Sequence, residues 1–356
     1  MTGSLPTNAA TGRSGVLAGR VAGGVLAAIR RSTVMTQEDL ATRTGVSPAA
    51  VQGWEQGRKP LINVPYTRLH ALRRELQAAG ATADLLWLWD RALSADAVLA
   101  GLDEPDPRRH PLAITVPDRT LTELIAWPLS GQPPRQLAGF ATALPVGDGE
   151  LAAVTAALRD TADQYAADGE PAAMLRRQVK FLLAQASDPT ARQWAADAEK
   201  SDLRAAAGLD TWTPRWPLAR SAAVTAAATG NLDPLHRFID TGLASDQLQS
   251  ANLNYWAYWA GEIPVPWAGD SAMTGEGSGE WTGTRLLGSL LHGVVNAPYR
   301  DLCAHSLWAL LLERPLAGPK WQPRIREAVT RAIDGGELAG SARQRLEQVN
   351  YSLRSR

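Results

Sequence analysis

The feature that most constrains this chain is a pair of short helices joined by a tight turn. Thr36 is followed three residues later by Asp39, a capping signature that predicts the start of a helix. Gly45 ends that helix, Ser47 caps the next one, and Gly57 ends the second in turn. Two short helices separated by a glycine-containing turn predict a helix-turn-helix unit, which buries its apolar side against further helices.

The residues of this unit resemble the XRE (Cro/phage-repressor-type) DNA-binding domain. The matching phrases are TQEDLA at 36–41, TGVSPAAV at 44–51 and WEQGRKP at 54–60. The resemblance covers roughly residues 20–79 and implies a four- or five-helix domain that places the helix after Ser47, the recognition helix, in the major groove of double-stranded DNA. Apolar periodicity predicts flanking helices over 16–31, 64–79 and 81–100.

The resemblance also assigns DNA contacts residue by residue. Gln37 is expected to bind a phosphate and brace the recognition helix. On that helix, the exposed early positions are expected to be Pro48, Ala49, Gln52 and Gly53. Gln52 is the side chain suited to a bidentate base contact, preferably with adenine. The predicted DNA-binding residues are Gln37, Pro48, Ala49, Gln52, Gly53, Gln56, Arg58 and Lys59.

Three further residues bear on this resemblance. Arg30 and Glu55 match a family pair that joins the first and third helices. Val34 stands where the family usually has glycine, and because a β-branched residue resists positive φ, we expect the first turn to take another conformation. The recognition helix has few hydrogen-bonding side chains, so direct readout of base edges is expected to be weak. Sequence discrimination is then expected to depend on DNA shape, or on Arg13 and Arg20 entering a minor groove.

The net charge of zero conceals an asymmetry along the chain. Residues 1–79 contain ten Arg or Lys and four Asp or Glu, a net charge of +6, so the remaining residues carry −6. A basic head on an acidic body is typical of a nucleic-acid-binding module attached to a part that does not bind nucleic acid.

The pattern of the remaining residues predicts a large all-helical region. The predicted fold class is therefore all-α, with a helical-repeat-like (TPR-like) C-terminal domain. The predicted domains are a flexible arm (1–15), the DNA-binding domain (16–80), a connecting helix with a Pro-rich linker (81–118), and a sensor and dimerisation domain (119–356). Residues 114–116 form the one strand-like fragment near the linker, and 119–147 predict only short helices. From residue 150 onward, ten helices of 12–19 residues are expected, with short Gly, Asp or Pro connections.

This second region resembles the all-helical C-terminal half of XRE regulators common in high-GC bacteria, through NYWAYWAGE at 254–262 and YRDLCAHSLW at 299–308. Its aromatic residues are either core or an effector groove. The candidate effector or interface residues are Tyr255, Trp256, Tyr258 and Trp259. Helical spacing places Trp256 with Trp259 and Tyr255 with Tyr258, and one of these pairs is expected to be core.

The sequence favours no catalytic chemistry and no cofactor. Asp301, Cys303 and His305 lie at i, i+2 and i+4, which puts the thiol opposite the other two and predicts an Asp301–His305 hydrogen bond. The five histidines have no metal-ligand spacing, and the glycine-rich stretch 269–283 lacks a phosphate-loop signature. One cysteine fits a reducing compartment and no stretch is long and apolar enough to span a membrane, so a cytoplasmic protein is expected.

These observations predict a sequence-specific transcriptional regulator that is not an enzyme. We expect a homodimer that binds a palindromic operator, with a helical domain that responds to a small molecule, a peptide or a protein. The alternative is a helical-repeat adaptor that binds a peptide or small protein, with DNA binding secondary.

Overall fold

The computed structural model describes residues 17–140, 144, 146–165, 169–205, 209–263, 269–275, 281–314, 316 and 318–354. These residues form seventeen α-helices and no β-strand, so the protein is all-α, as predicted. The predicted arm over 1–15, including Arg13, lies outside the described residues.

The first seven helices include the helix-turn-helix unit. They are α1 (Arg20–Ser32), α2 (Gln37–Thr44), α3 (Pro48–Glu55), α4 (Tyr66–Ala78), α5 (Ala83–Ala100), α6 (Pro111–Ile114) and α7 (Arg119–Ser130). Helix α7 is longer than the short helices predicted for this stretch, because its apolar side chains bury a continuous face despite Pro128. The strand-like fragment is only an isolated bridge at Val116 that follows α6.

Ten helices follow, the number predicted from residue 150 onward. They are α8 (Asp148–Gln164), α9 (Gly169–Ala184), α10 (Pro189–Ala205), α11 (Trp216–Ala228), α12 (Asp233–Gly242), α13 (Asp246–Trp259), α14 (Thr284–Asn296), α15 (Arg300–Glu313), α16 (Gln322–Asp334) and α17 (Gly340–Arg354). None of the helices in the described ranges is long and apolar enough to cross a membrane.

The chain divides into two compact units. The first contains the described residues of Met1–Leu112, Thr120–Tyr165 and Gln178–Ala195. The second contains those of Ala113–Arg119, Ala166–Arg177 and Ala196–Arg356. The predicted domain boundaries at residues 80 and 118 divide the chain differently from these two units. They stay a prediction.

Helix α1 is the centre of the first unit. The structure buries α1 from Val21 to Ile29 with the exception of Gly24, because both α5 and α3 pack against it. Gly23 permits the contact with α3: a Cβ on this residue would lie 2.1 Å from the carbonyl oxygen of Trp54. A helix that is apolar on all sides is a core helix, and its small residues let its neighbours approach closely.

The N-terminus of α1 is capped from α5. Gly19 precedes α1 and offers no side chain, and the carboxylate of Asp96 accepts hydrogen bonds from the backbone N–H groups of Val21 (3.1 Å) and Ala22 (2.9 Å). Burial raises the pKa of Asp96 to about 7, although these backbone donors act in the opposite direction. The cap ties α5 to α1 through a buried acid.

The second unit has one large hydrophobic core. Helix α11 packs on α12, and α14 to α17 pack against one another, so that buried leucines, alanines and Trp216 form a continuous cluster. The indole N–H of Trp216 donates to the carbonyl of Gly242 at 2.7 Å, which satisfies its polar atom inside the core. Helix α13 joins this core through contacts with α15 and α14.

Candidate nucleic-acid interface

Helix α2 begins at a complete capping box. The Thr36 hydroxyl accepts from the Asp39 backbone N–H at 3.0 Å, and the Asp39 carboxylate accepts from the Thr36 N–H at 2.9 Å. The hydrogen bonds from Thr36 hold the pKa of Asp39 below its ordinary value. The predicted start of α2 is therefore correct, and it is satisfied locally.

The turn between α2 and α3 has the conformation that its residues predict. Gly45 has φ +66° and ends α2, and no atom lies within 4 Å of the place a Cβ would take. The Ser47 hydroxyl then accepts from the Ala50 N–H at 3.2 Å, with Pro48 in the first turn of α3. Both helix ends are thus defined by short-range contacts.

Helix α3 has a buried side and an exposed side. Val51 (0% exposed) and Trp54 (5%) face the core of the first unit. Pro48, Ala49 and Gln52 are exposed, as predicted for the early positions of a recognition helix. The exposed side chains on this side can meet the edges of base pairs.

Gly53 is an exception on this helix. The prediction that Gly53 is exposed is wrong, because the stem of Lys59 lies across it: a Cβ on Gly53 would be 3.2 Å from Lys59 Cδ. The Gly53 carbonyl also accepts from the Lys59 N–H at 3.0 Å. Gly53 therefore serves to bring the segment after α3 back against the helix.

That segment presents two exposed cations, Arg58 and Lys59, beside α3. It turns at Gly57, which has φ +70° and lies so close to Arg20 that a Cβ would be 3.0 Å from the Arg20 backbone nitrogen. Arg58 Nη2 donates to Gln52 Oε1 at 3.3 Å, which links a predicted phosphate-binding residue to the predicted base-reading residue. Gln56, between them, is partly exposed.

Gln37 is braced inside the unit. Its side-chain amide donates to Glu55 Oε2 at 2.6 Å, and Arg30 donates to both oxygens of the same carboxylate. Glu55 therefore joins α1, α2 and α3 at one point. This bears out the bracing role expected of Gln37, whereas its phosphate contact stays a prediction.

The turn after α1 differs from the expectation for Val34. Val34 adopts φ +57° and is 92% exposed, in spite of its β-branched side chain. The Val34 N–H donates to Arg31 and the Met35 N–H donates to Arg30, which is the pattern of a Schellman motif, and Arg30 Nη1 holds the Met35 carbonyl at 2.8 Å. These contacts hold the left-handed turn where the family usually has glycine, so the expectation of another conformation is wrong.

The exposed surface of the helix-turn-helix unit is rich in arginine. Besides the predicted pair, the exposed cations include Arg43, Arg68 and Arg74, which the sequence analysis did not name as site residues. The sequence contained a signal for them, since each lies on the polar side of an amphipathic helix. Such cations supply the sequence-independent part of DNA affinity.

The four candidate aromatic residues of α13 have different environments. Tyr258 is core (2% exposed), and its hydroxyl donates to the carbonyl of Val116, so it is not available at the surface. Tyr255, Trp256 and Trp259 are partly exposed. The prediction that one i, i+3 pair is core is therefore wrong, because the two tyrosines are buried to different extents.

Tyr255 and Trp256 instead share a contact with Arg220 of α11. The Arg220 guanidinium carbon lies 4.5 Å from the Tyr255 ring centroid and 5.0 Å from that of Trp256. Sequence analysis missed Arg220, although an arginine in a helix of mostly alanine and apolar residues was a signal for it.

The Asp301, Cys303 and His305 side chains form no common site. Asp301 accepts from the Ala339 N–H (3.0 Å) and lies 2.7 Å from His236 Nε2, so the predicted bond to His305 is absent. Burial raises the pKa of Cys303 far above its ordinary value. Burial, with a smaller contribution from Arg345, lowers the pKa of His305 to about 4. No group of three potential metal ligands occurs among the described residues.

Comparison with known proteins agrees with this geometry. Residues 22–88 match the family model described as a helix-turn-helix domain. A search of curated proteins and a search of solved structures each found no match to the chain. The match covers α2, α3 and their neighbours, so the N-terminal part of the chain is a helix-turn-helix domain resembling that of XRE regulators.

Proposed function

We propose that this chain, which carries a helix-turn-helix domain at its N-terminal end, is a sequence-specific transcriptional regulator of the XRE type. In this proposal α3 enters the major groove of double-stranded DNA. Gln52 contacts a base, Pro48 and Ala49 contact base edges, and Arg58 and Lys59 bind the phosphate backbone.

The exposed side of α3 is the observation that carries the proposal. Val51 and Trp54 anchor the helix in the core, and Gln52 faces away from them next to the exposed Arg58. A helix held rigidly from behind by the Arg30–Glu55 contact can insert without rearrangement.

The proposal includes a homodimer and a regulated helical region. Two copies would place their recognition helices about 34–36 Å apart on a palindromic operator. A ligand or protein partner of the helical region would act by favouring the arrangement that fits, or fails to fit, this spacing. We place the protein in the cytoplasm and assign it no catalytic activity.

Fluorescence anisotropy against the DNA upstream of its own gene, over a salt series, tests the proposal. We expect one preferred duplex and an affinity that falls steeply with salt. The double variant Arg58→Ala, Lys59→Ala is expected to weaken binding to every duplex and to reduce the salt slope by about 2.

The chain offers a matched control for that variant. Arg108 and Arg109 are also adjacent and exposed in the first unit, but they lie outside the helix-turn-helix match. Their double alanine variant should keep the wild-type slope. Equal slopes for both variants would contradict the placement of α3, and absence of any duplex binding at low salt would favour the adaptor alternative.

A further inference from the structure

The second unit contains three buried arginines with different partners, of which Arg176 pairs with Asp202 at 3.3 Å. Arg177 (5% exposed) forms a bidentate pair with the carboxylate of Asp270, whose Oδ1 lies 2.7 Å from Nη2. Arg220 is buried to the same degree (4% exposed) and makes no ion pair with any described residue. Arg220 therefore differs from Arg176 and Arg177 in having no paired carboxylate among the described residues.

The hydrogen-bond donors of Arg220 are only partly used. Nε donates to Asn252 Oδ1 at 2.7 Å, and Asn252 is itself held by its Nδ2 donating to Ser306 Oγ at 2.8 Å. Nη2 is buried and has no hydrogen-bond partner. A buried donor without a partner is costly, and a buried charge without a counter-ion is more so.

Aromatic rings lie close to this guanidinium. Tyr255 and Trp256 lie 4.5 and 5.0 Å from its carbon, and Tyr299 packs on Trp256 with ring centroids 6.3 Å apart. Stacking on a guanidinium leaves its in-plane N–H groups available for a planar acceptor. All three rings are partly exposed, so a ligand that reached the edge would also contact apolar ring surface.

The electrostatics of the site favour a single negative charge. Burial lowers the pKa of Arg220 to about 10, and the charge of Arg177 acts in the same direction, so the arginine is still cationic at neutral pH. A monoanion would match the single positive charge of Arg220, whereas a phosphate dianion would exceed it. The planar fork of a guanidinium also matches a carboxylate geometrically.

We propose that Arg220, with Asn252 and the rings of Tyr255 and Trp256, is the binding site for a small organic carboxylate with an apolar or aromatic body. This site deepens the proposed function, on which it rests, by naming the chemical class of the effector. The carboxylate accepts a hydrogen bond from Nη2, the donor that has no partner, and the body contacts the rings.

Isothermal titration of the full-length protein with benzoate, acetate, inorganic phosphate and benzyl alcohol at matched ionic strength tests the site. We expect saturable binding of benzoate, weaker binding of acetate and phosphate, and none of the neutral alcohol. Arg220→Gln keeps a donor for Asn252 but removes the charge, and it should weaken benzoate binding by at least about tenfold. Phosphate binding more tightly than benzoate, or no carboxylate binding, would overturn the proposal.

Arg324 supplies the matched control, because it also stacks on a tryptophan (4.6 Å from the ring centroid of Trp321) but is exposed. Arg324→Gln should bind benzoate as the wild type does. Without ligand, Arg220→Gln should melt at or above the wild-type temperature, since it removes an uncompensated charge. An Arg220→Gln variant that fails to fold would contradict the proposal, because the guanidinium would then be a structural element.

Arg220→Lys is the second variant, since it keeps the positive charge and loses the planar guanidinium. If this variant bound benzoate with wild-type affinity, that result would also count against the site. DNA binding of the same preparations separates the two proposals. Absence of benzoate binding by the wild type, with its DNA binding intact, defeats the carboxylate site alone. Absence of DNA binding by the wild type, with benzoate binding dependent on Arg220, defeats the regulator instead.

Discussion

Arg30 and Glu55 form a bidentate ion pair, with Nε to Oε1 at 2.6 Å and Nη2 to Oε2 at 3.0 Å. Their side chains are only 12% and 6% exposed, so the pair is largely shielded from water. Gln37 donates to the same carboxylate. The orientation of the recognition helix thus depends on one acidic side chain that three helices share.

We predict that Glu55→Ala lowers the free energy of unfolding by about 3 kcal/mol, because it leaves the Arg30 charge partly buried and unpaired. Urea unfolding measures this change. Arg73 and Asp90 form an equally short pair that is 34% and 53% exposed, and Asp90→Ala should cost less than about 1 kcal/mol. Similar losses for the two variants would contradict the bracing role of Glu55.

Val34→Gly should stabilise the protein by about 1 kcal/mol, since a β-branched residue is strained at φ +57° and glycine is not. Thermal unfolding detects this as a higher Tm. Gly45 has a similar φ of +66° with open space around it, so Gly45→Ala tests the same backbone conformation in the opposite direction and should lower Tm. A lower Tm for Val34→Gly would show that the turn carries no strain.

The buried acid Asp96 should make stability depend on pH. Its pKa of about 7 in the folded state lies above the ordinary 3.8, so the folded state binds more protons than the unfolded state. The contribution of Asp96 to folding stability is therefore full below about pH 4 and is lost as the pH rises through 7. We predict that wild type loses stability relative to Asp96→Asn over this range, by at most about 1.4 kcal/mol per pH unit.

Urea unfolding of both proteins from pH 4 to pH 8 measures that difference. Burial lowers the pKa values of His110 and His305, which makes folding stability rise with pH. This effect is the same in both proteins, so it cancels in the comparison. A charged carboxylate is favoured at a helix N-terminus. If this stabilisation of the charged form exceeded the cost of burying it, the stability of the wild type relative to the variant would instead increase as pH rises.

Gln52→Ala should relax base preference at one operator position, by about 1–3 kcal/mol, and leave the salt slope unchanged. Anisotropy competition with single-base operator variants measures the preference. Ala49→Gly is a control on the same exposed side, because it removes no hydrogen bond. A uniform loss of affinity for all duplexes in Gln52→Ala would place Gln52 on the phosphate backbone.

Short-range interactions determine where the helices of the helix-turn-helix unit begin and end, independently of the tertiary structure. The Thr36 capping box, the Gly45 turn and the Ser47 cap are contacts between residues at most a few positions apart, so the sequence alone predicted them correctly. The helix-turn-helix arrangement followed from the same signals, and the exposure of Pro48, Ala49 and Gln52 on α3 followed from the resemblance to the XRE domain.

Tertiary structure decided what local patterns do not contain. Asp96 caps α1 from 75 residues away, and the stem of Lys59 buries Gly53. Tyr258 joined the core while Tyr255 stacked on Arg220, although helical spacing treats the tyrosines alike. A sequence pattern reports which side of one helix is apolar, but which charge meets which partner depends on where distant helices cross, and that is set by packing of the whole chain.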